Sequence, residues 1–235
     1  MSEPAHCHPR AFHLMEEAVA SIETTGGLVR AAGAIAAHLQ PMLRVEELER
    51  TIAAYAGSVA TRVPRIAAGP RPIPEDDIEI LLAHLHFVLF EQAGFIGNTA
   101  AYDDPRNSLL HEVLARRLGI PISLCLVYKA VGELLGLRIH GINAPLHFVV
   151  EVEGPARRTF IDAFCGGRLL WEDELVAGIA RATGHPPGEI ELERADNRAW
   201  IARMLRNLEA SFANAGERSQ VLAMQELATA AGVRV

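Results

Sequence analysis

Apolar residues recur at helical spacing through most of the first half of the chain. Phe12–Ile22, Leu28–Leu39 and Val45–Val63 each carry such a stripe. In the third, Val45, Leu48, Ile52 and Tyr55 share a face, and Glu46, Glu47, Glu49 and Arg50 take the other. Pro64, Pro70, Pro72 and Pro74 then crowd one stretch, which predicts a linker or surface crossing because repeated prolines cannot continue a helix. Helical spacing resumes over Asp76–Phe90 and stops at Gly94. The run to Pro105, with Gly97, Asn98, Asp103 and Asp104, reads as a loop. Asn107 or Ser108 is placed to cap a helix over Leu109–Leu118. After the break at Gly119-Ile120-Pro121, a further helix is predicted from Ser123 to Leu135, ending at Gly136.

The period then shortens. Arg138–Ile142, His147–Val152 and Thr159–Ile161 are short, β-branched or aromatic, and separated by turn residues, which predicts three strands of an antiparallel sheet. Gly166-Gly167 is a turn. Trp171–Ala182, Trp200–Ala213 and Ser219–Ala230 return to helical spacing. Helices, then a helix feeding strands, then helices is an α+β order. The expected organisation is an N-terminal helical region with a Pro-rich linker over 1–74, a core over 75–183, and a C-terminal helical hairpin over 184–235. That hairpin has the outline of a single tetratricopeptide-like unit.

Composition narrows the function classes. The 235 residues are 50% hydrophobic and 22% charged, ordinary for a globular chain. The formal net charge of −7 leaves no basic excess to drive binding to nucleic acid or anionic lipid. Lys129 is the single lysine among the basic residues, a compositional bias. Cys7, Cys125 and Cys165 form no regular framework, which suits a reducing compartment. Met1–Arg10 lacks the apolar core of a signal peptide, and no run approaches the roughly 18 apolar residues of a membrane span. A soluble cytoplasmic protein is expected, with no membrane partner.

Candidate chemistry gathers around the helix at Ser123. A hydroxyl in the first turn sits among free backbone N–H groups, where negative charge is favoured. His147 opens one predicted strand and Asp162 closes the next. A carboxylate against an imidazole fixes its tautomer, and the imidazole would then serve a nucleophile on the preceding helix. The bland reading stands beside it: Ser123 as a helix-start residue, His147 as a core histidine, Asp162 as a turn residue. Asp104, Arg106 and Asn107 form a second cluster, read chiefly as a loop lock and otherwise as a pocket wall. His6-Cys7-His8 with His13 is a weak metal candidate. His84 and His86, two apart, face different sides of their helix. No metal and no cofactor is expected, and there is no phosphate loop or dinucleotide fingerprint.

These residues also carry a resemblance. Gly94-Phe95-Ile96-Gly97-Asn98, Tyr102–Ser108, Arg116–Leu124, Pro145-Leu146-His147-Phe148, Ile161-Asp162-Ala163-Phe164 and Gly166–Leu170 together resemble the SirB-type family of transglutaminase-like proteins. Arg203–Leu208 and the N-terminal helices are more loosely similar. The resemblance implies a papain-like core, in which a nucleophile-bearing helix packs on an antiparallel sheet carrying His and Asp. It makes Ser123, or less directly Cys125, the nucleophile, His147 the base and Asp162 the orienting group. Active transglutaminases place Cys at the helix start, where this chain has Ser123, and the family's usual glycine before the sheet histidine is Leu146 here. A thiolate is far more available at neutral pH than an alkoxide. Both departures weigh toward a non-catalytic binding or regulatory protein taking a protein or peptide ligand. Acyl transfer or amide hydrolysis is the alternative.

Overall fold

The computed structural model describes residues 4–70, 73–145, 147–154 and 158–234, so Pro72 and Leu146 lie outside the described residues. The chain opens with α1 (Pro9–Val19), α2 (Thr25–Leu39) and α3 (Val45–Arg62). Thr24 caps α2 by accepting the Gly27 N–H. Ala31, Ala32, Ala34, Ile35, Ala36 and Ala37 bury α2 on nearly every side, and a helix apolar all round is a core helix. The first of the crowded prolines starts a helix as well as ending one: Pro64 occupies the first turn of the short α4 (Pro64–Ala67). Next comes α5 (Glu75–His86), which passes directly into a π-helical turn over Phe87–Gln92. There Phe90 stacks on Tyr128 with ring centroids 6.0 Å apart.

Strand β1 (Ile96–Gly97) pairs in parallel with β2 (Leu118–Gly119). Between them lie a 3₁₀ turn at Pro105–Ser108 and α6 (Leu110–Arg116). The sequence pattern extends α6 through Leu118. The helix stops earlier because Arg117 turns left-handed, with φ of 60°, and sends Leu118 into the β1–β2 pairing. Then α7 (Pro121–Leu134) leads into β3 (Ile139–Ile142), β4 (Val149–Val152), β5 (Thr159–Asp162) and β6 (Arg168–Leu170). After α8 (Glu172–Thr183) follow β7 (Arg194–Ala195), α9 (Asn197–Asn214) and α10 (Arg218–Ala231).

Among the described residues, β3 to β7 form a five-stranded antiparallel sheet in the order β6-β5-β4-β3-β7. The sequence pattern shows three of these strands. β6 and β7 are two or three residues long and carry arginines, so they have no periodic signature of their own; neighbouring strands recruit them. β4 also begins two residues later than expected. The His147 N–H turns back to the Ala144 carbonyl at 3.2 Å, which leaves His147 in the loop before the strand.

Side chains alternate across the sheet. Ile139, Val150, Val152 and Ile161 enter a continuous core shared with α7, the N-terminal helices and the C-terminal pair. Ile142, Val149, Phe160 and Leu170 face the other way and pack with Leu175 and Ile179 of α8. Trp200 of α9 is fully buried. Its indole N–H donates to the Ile122 carbonyl at 3.3 Å, and its ring lies 4.6 Å from that of Phe148. Gly141 permits this approach, since a Cβ there would sit 2.5 Å from the Trp200 ring. At the chain's start, the backbone N–H groups of Ala5, His6 and Cys7 all donate to the Glu226 carboxylate of α10, tying the two ends together. No helix among the described residues is long and apolar enough to cross a membrane.

On the α8 face of the sheet, Glu151 is the most deeply buried charge among the described residues. Glu151 is 1% exposed and accepts from Arg194 at 2.7 Å and Arg158 at 3.0 Å. Burial alone would raise this carboxyl, but hydrogen bonds from Arg194 and Arg158 outweigh it and hold the pKa at about 2, against an ordinary 4.5. A depressed carboxyl pKa stabilises the fold above pH 4.5 and loses that contribution as pH falls toward 2. Glu151→Gln should therefore lower stability at pH 7 by about 1–3 kcal/mol. Urea melts across that acid range should show a shallower loss for the variant than for the parent; parallel curves would contradict the assignment.

Candidate functional site

The first turn of α7 is fixed from two sides. Pro121 opens it with a preset φ. Ser123, fully buried, accepts the Ile120 N–H at 3.1 Å and donates to the Asn107 carbonyl at 2.6 Å, with the Ile120 carbonyl 3.0 Å away. Among the described residues, no hydrogen bond joins this hydroxyl to the His147 ring. Cys125, two residues on, is fully buried, with its sulfur 3.5 Å from the Phe148 carbonyl. Burial first, and then the Asp162 charge, pushes its thiol far above the ordinary range.

His147 and Asp162 do meet. The His147 Nε2 lies 2.8 Å from Asp162 Oδ2, and the second oxygen, Oδ1, accepts the Cys165 N–H at 3.1 Å. Burial would raise the Asp162 carboxyl, but the bond and charge of His147 and the Cys165 N–H hold it below its ordinary value. Asp162 shares the α8-facing side of β5 with Phe160. Accordingly, the pair lines a cavity of about 330 Å³ between the end of the sheet and α8, with Leu170, Leu175 and Ile179 as its apolar wall. Ser123 is not in that wall. The sequence placed the three residues in one constellation; the structure joins two and seats the third in the α7 cap.

The Asp104–Arg106–Asn107 cluster divides by burial. Asn107 is fully buried and satisfied on both ends of its amide. Its Nδ2 donates to the carbonyls of Ala101 at 2.6 Å and Tyr102 at 3.1 Å, and its Oδ1 accepts from Asn98 at 3.0 Å and Arg116 at 3.1 Å. Asp104 caps the 3₁₀ turn by accepting the Arg106 N–H at 2.9 Å. The Arg106 side chain is 60% exposed and pairs with Asp104 at 2.7 Å. That hydrogen bond chiefly, with the charge behind it, lowers the Asp104 carboxyl. Asn98 and Arg116 complete this network, and sequence reasoning passed over both.

The remaining candidates are spent on structure. The His8 ring accepts the Arg10 N–H at the start of α1. Burial and the Glu226 charge push the buried Cys7 thiol up to about 12. His84 accepts from Arg62, and His86 meets the Tyr128 hydroxyl at 2.9 Å. Among the described residues, no three His, Cys, Asp or Glu side chains are grouped to hold a metal ion.

A family model described as the transglutaminase-like superfamily matches residues 44–206, from the end of the α2–α3 turn to the middle of α9. The chain belongs to the transglutaminase-like superfamily. The matched span contains α7, the whole sheet and the His147–Asp162 pair. A UPF0162 protein of Xylella fastidiosa (strain Temecula1) is 38% identical over 141 residues, 57% of this chain and 49% of that protein. A UPF0162 protein of Vibrio cholerae is 30% identical over 129 residues, 53% of this chain and 47% of that protein. The mouse F-box only protein 21 is 38% identical over 98 residues, 38% of this chain and 16% of that protein. The chain thus spans about half the length of the UPF0162 relatives it matches. No solved structure matches it.

Two predictions follow from this geometry. Asn107→Ala removes four buried hydrogen bonds and should cost about 2–4 kcal/mol in chemical denaturation. Arg106→Ala, which loses an exposed ion pair, should leave the melting curve nearly unchanged; the reverse ranking would show that the arginine pins the loop. Among the thiols, only Cys165 is exposed, and a thiol's reaction rate follows access and thiolate fraction. Cys165 should be the first to react with a disulfide reagent in the folded protein, and Cys7 and Cys125 should wait for unfolding. Early labelling of Cys125 would contradict its burial.

Proposed function

We propose that this chain is a SirB-type member of the superfamily with a papain-like core, and that its cleft binds a protein or peptide ligand without turning it over. In this reading the core over 75–183 carries the cleft and works in the cytoplasm. The helical pair α9–α10 is a tetratricopeptide-like tail. The observation that carries the proposal is the Ser123 hydroxyl: fully buried, accepting one backbone N–H and donating to the Asn107 carbonyl. A serine nucleophile needs its oxygen exposed and within reach of the base, about 2.6–3.2 Å. Here the base-like residue, His147, is bound to Asp162 in the wall of a cavity that Ser123 does not line. The F-box relative, in which the similar stretch is 16% of the whole, supports use of the domain as a module inside longer proteins.

Acyl transfer or amide hydrolysis through Ser123 (or Cys125), His147 and Asp162 is the second reading, and the 2.8 Å His147–Asp162 contact is what favours it. Incubation with a glutaminyl peptide and a fluorescent amine separates the two. We expect no ammonia release, no amine incorporation, and no labelling of Ser123 by a fluorophosphonate. Ser123→Ala should instead cost about 1–3 kcal/mol of stability, because it strips a partner from buried backbone groups. Turnover that falls about a thousandfold in Ser123→Ala would overturn the binding reading.

A further inference from the structure

The cavity beside His147 has a feature that packing does not explain. Gly178 lies in the middle of α8 and lines it. Glycine weakens a helix interior relative to alanine, so it is usually retained there for close packing. At Gly178 nothing approaches: a Cβ would meet no atom within 4 Å. Around it, Leu175, Ile179 and Leu170 present apolar surface to a space of about 330 Å³. A helix that served only to close this face of the sheet would fill that gap.

The polar groups at the rim are unequal. Both carboxylates are committed within the protein: Asp162 to His147 and the Cys165 N–H, and Glu174 to the Trp171 N–H at 2.9 Å at the start of α8. The two guanidiniums are not. Arg168, beside Asp162 in the β5–β6 register, is 64% exposed and only comes within 4.0 Å of Glu174. Arg181 donates to the Ala177 carbonyl of its own helix at 3.3 Å. Among the described residues, the hydrogen-bonding capacity left at this rim is the remaining guanidinium donors of Arg168 and Arg181 and the second ring nitrogen of His147, above an apolar floor.

We propose that this cavity is a binding site for an aliphatic group that carries a carboxylate, with its hydrocarbon part against Gly178, Leu175 and Ile179 and its carboxylate met by Arg168 and Arg181. The volume is near the lower end of ligand sites, so it takes a group of a few carbons. Two sources have this chemistry: a free short-chain carboxylic acid, and the C-terminal residue of a peptide ending in an aliphatic side chain. The inference rests on the binding reading of the cleft and names what that cleft holds.

Titration calorimetry on the full chain tests it with four probes: 4-methylpentanoate, N-acetyl-leucine, N-acetyl-leucinamide and isopentylamine. The free acid and N-acetyl-leucine should bind saturably, with dissociation constants of about 0.1–10 mM as expected for so few atoms. The amide and the amine should bind at least about tenfold more weakly. Preference for N-acetyl-leucine over the free acid would identify a peptide C-terminus as the source, and the opposite preference a free acid. Gly178→Leu, which fills the space and favours the helix, should abolish binding with the circular dichroism and melting temperature retained or improved. Arg168→Gln and Arg181→Gln should each weaken binding about three- to tenfold. No saturable binding of either acid, equal binding of the amine, or binding unchanged in Gly178→Leu would overturn the site. Failure of the underlying non-catalytic reading has a separate signal, namely amine incorporation into the glutaminyl peptide.

Discussion

The side-chain amide of Asn107 is the point on which the centre of this fold depends. It satisfies two carbonyls of the loop before it and takes donors from Asn98 and Arg116 on either side in the chain. Its backbone carbonyl receives the Ser123 hydroxyl. Thus one buried residue sets the loop after β1, the 3₁₀ turn and the first turn of α7 in a single arrangement. A buried amide satisfied at both ends in this way specifies one geometry, because any displacement leaves its donors and acceptor without a partner. Trp200 closes the same turn from the opposite direction through the Ile122 carbonyl.

That arrangement explains why the residues that share a family pattern need not share a site. The start of α7 is held shut between Asn107 and the Trp200 helix, and its serine is consumed as a cap. The His147–Asp162 pair is set by different forces: the His147 N–H bond back to the Ala144 carbonyl, the β4–β5 register, and a carboxylate whose charge is stabilised by the imidazole and a backbone N–H. It lines the cavity against α8, while the Asp162 charge still reaches Cys125 of α7. The Ser123 hydroxyl sits in the α7 cap, and the His147–Asp162 pair lines that cavity without it.

The two faces of the sheet are also built for different purposes. On the α7 side, apolar strand residues join a core that runs unbroken from α1 to α10. On the α8 side, the apolar cluster is small and is bordered by charged groups, Glu151 with its two arginines and the His147–Asp162 pair. A large dry core supplies the stability, which leaves the smaller face free to keep a gap at Gly178 and unspent guanidiniums at its rim.

The sequence by itself determined the elements with a strong period: α2, α3, α7, α9 and α10, and the three central strands β3, β4 and β5. Their apolar spacing and bounding Gly and Pro residues suffice, since amphipathic burial dictates both. It offered His147 and Asp162 as a pair beside the bland reading of each, and the structure brings them to 2.8 Å. The tertiary structure alone decided β6 and β7, which exist only because a neighbouring strand offers hydrogen bonds. It alone decided that the π turn follows α5, where Phe90 must reach Tyr128. It also decided the fate of Ser123. A hydroxyl in a helix's first turn is equally suited to cap or to react, and the choice belongs to whichever group faces it. Here that group is the Asn107 carbonyl, sixteen residues away in the chain, a contact no local pattern encodes.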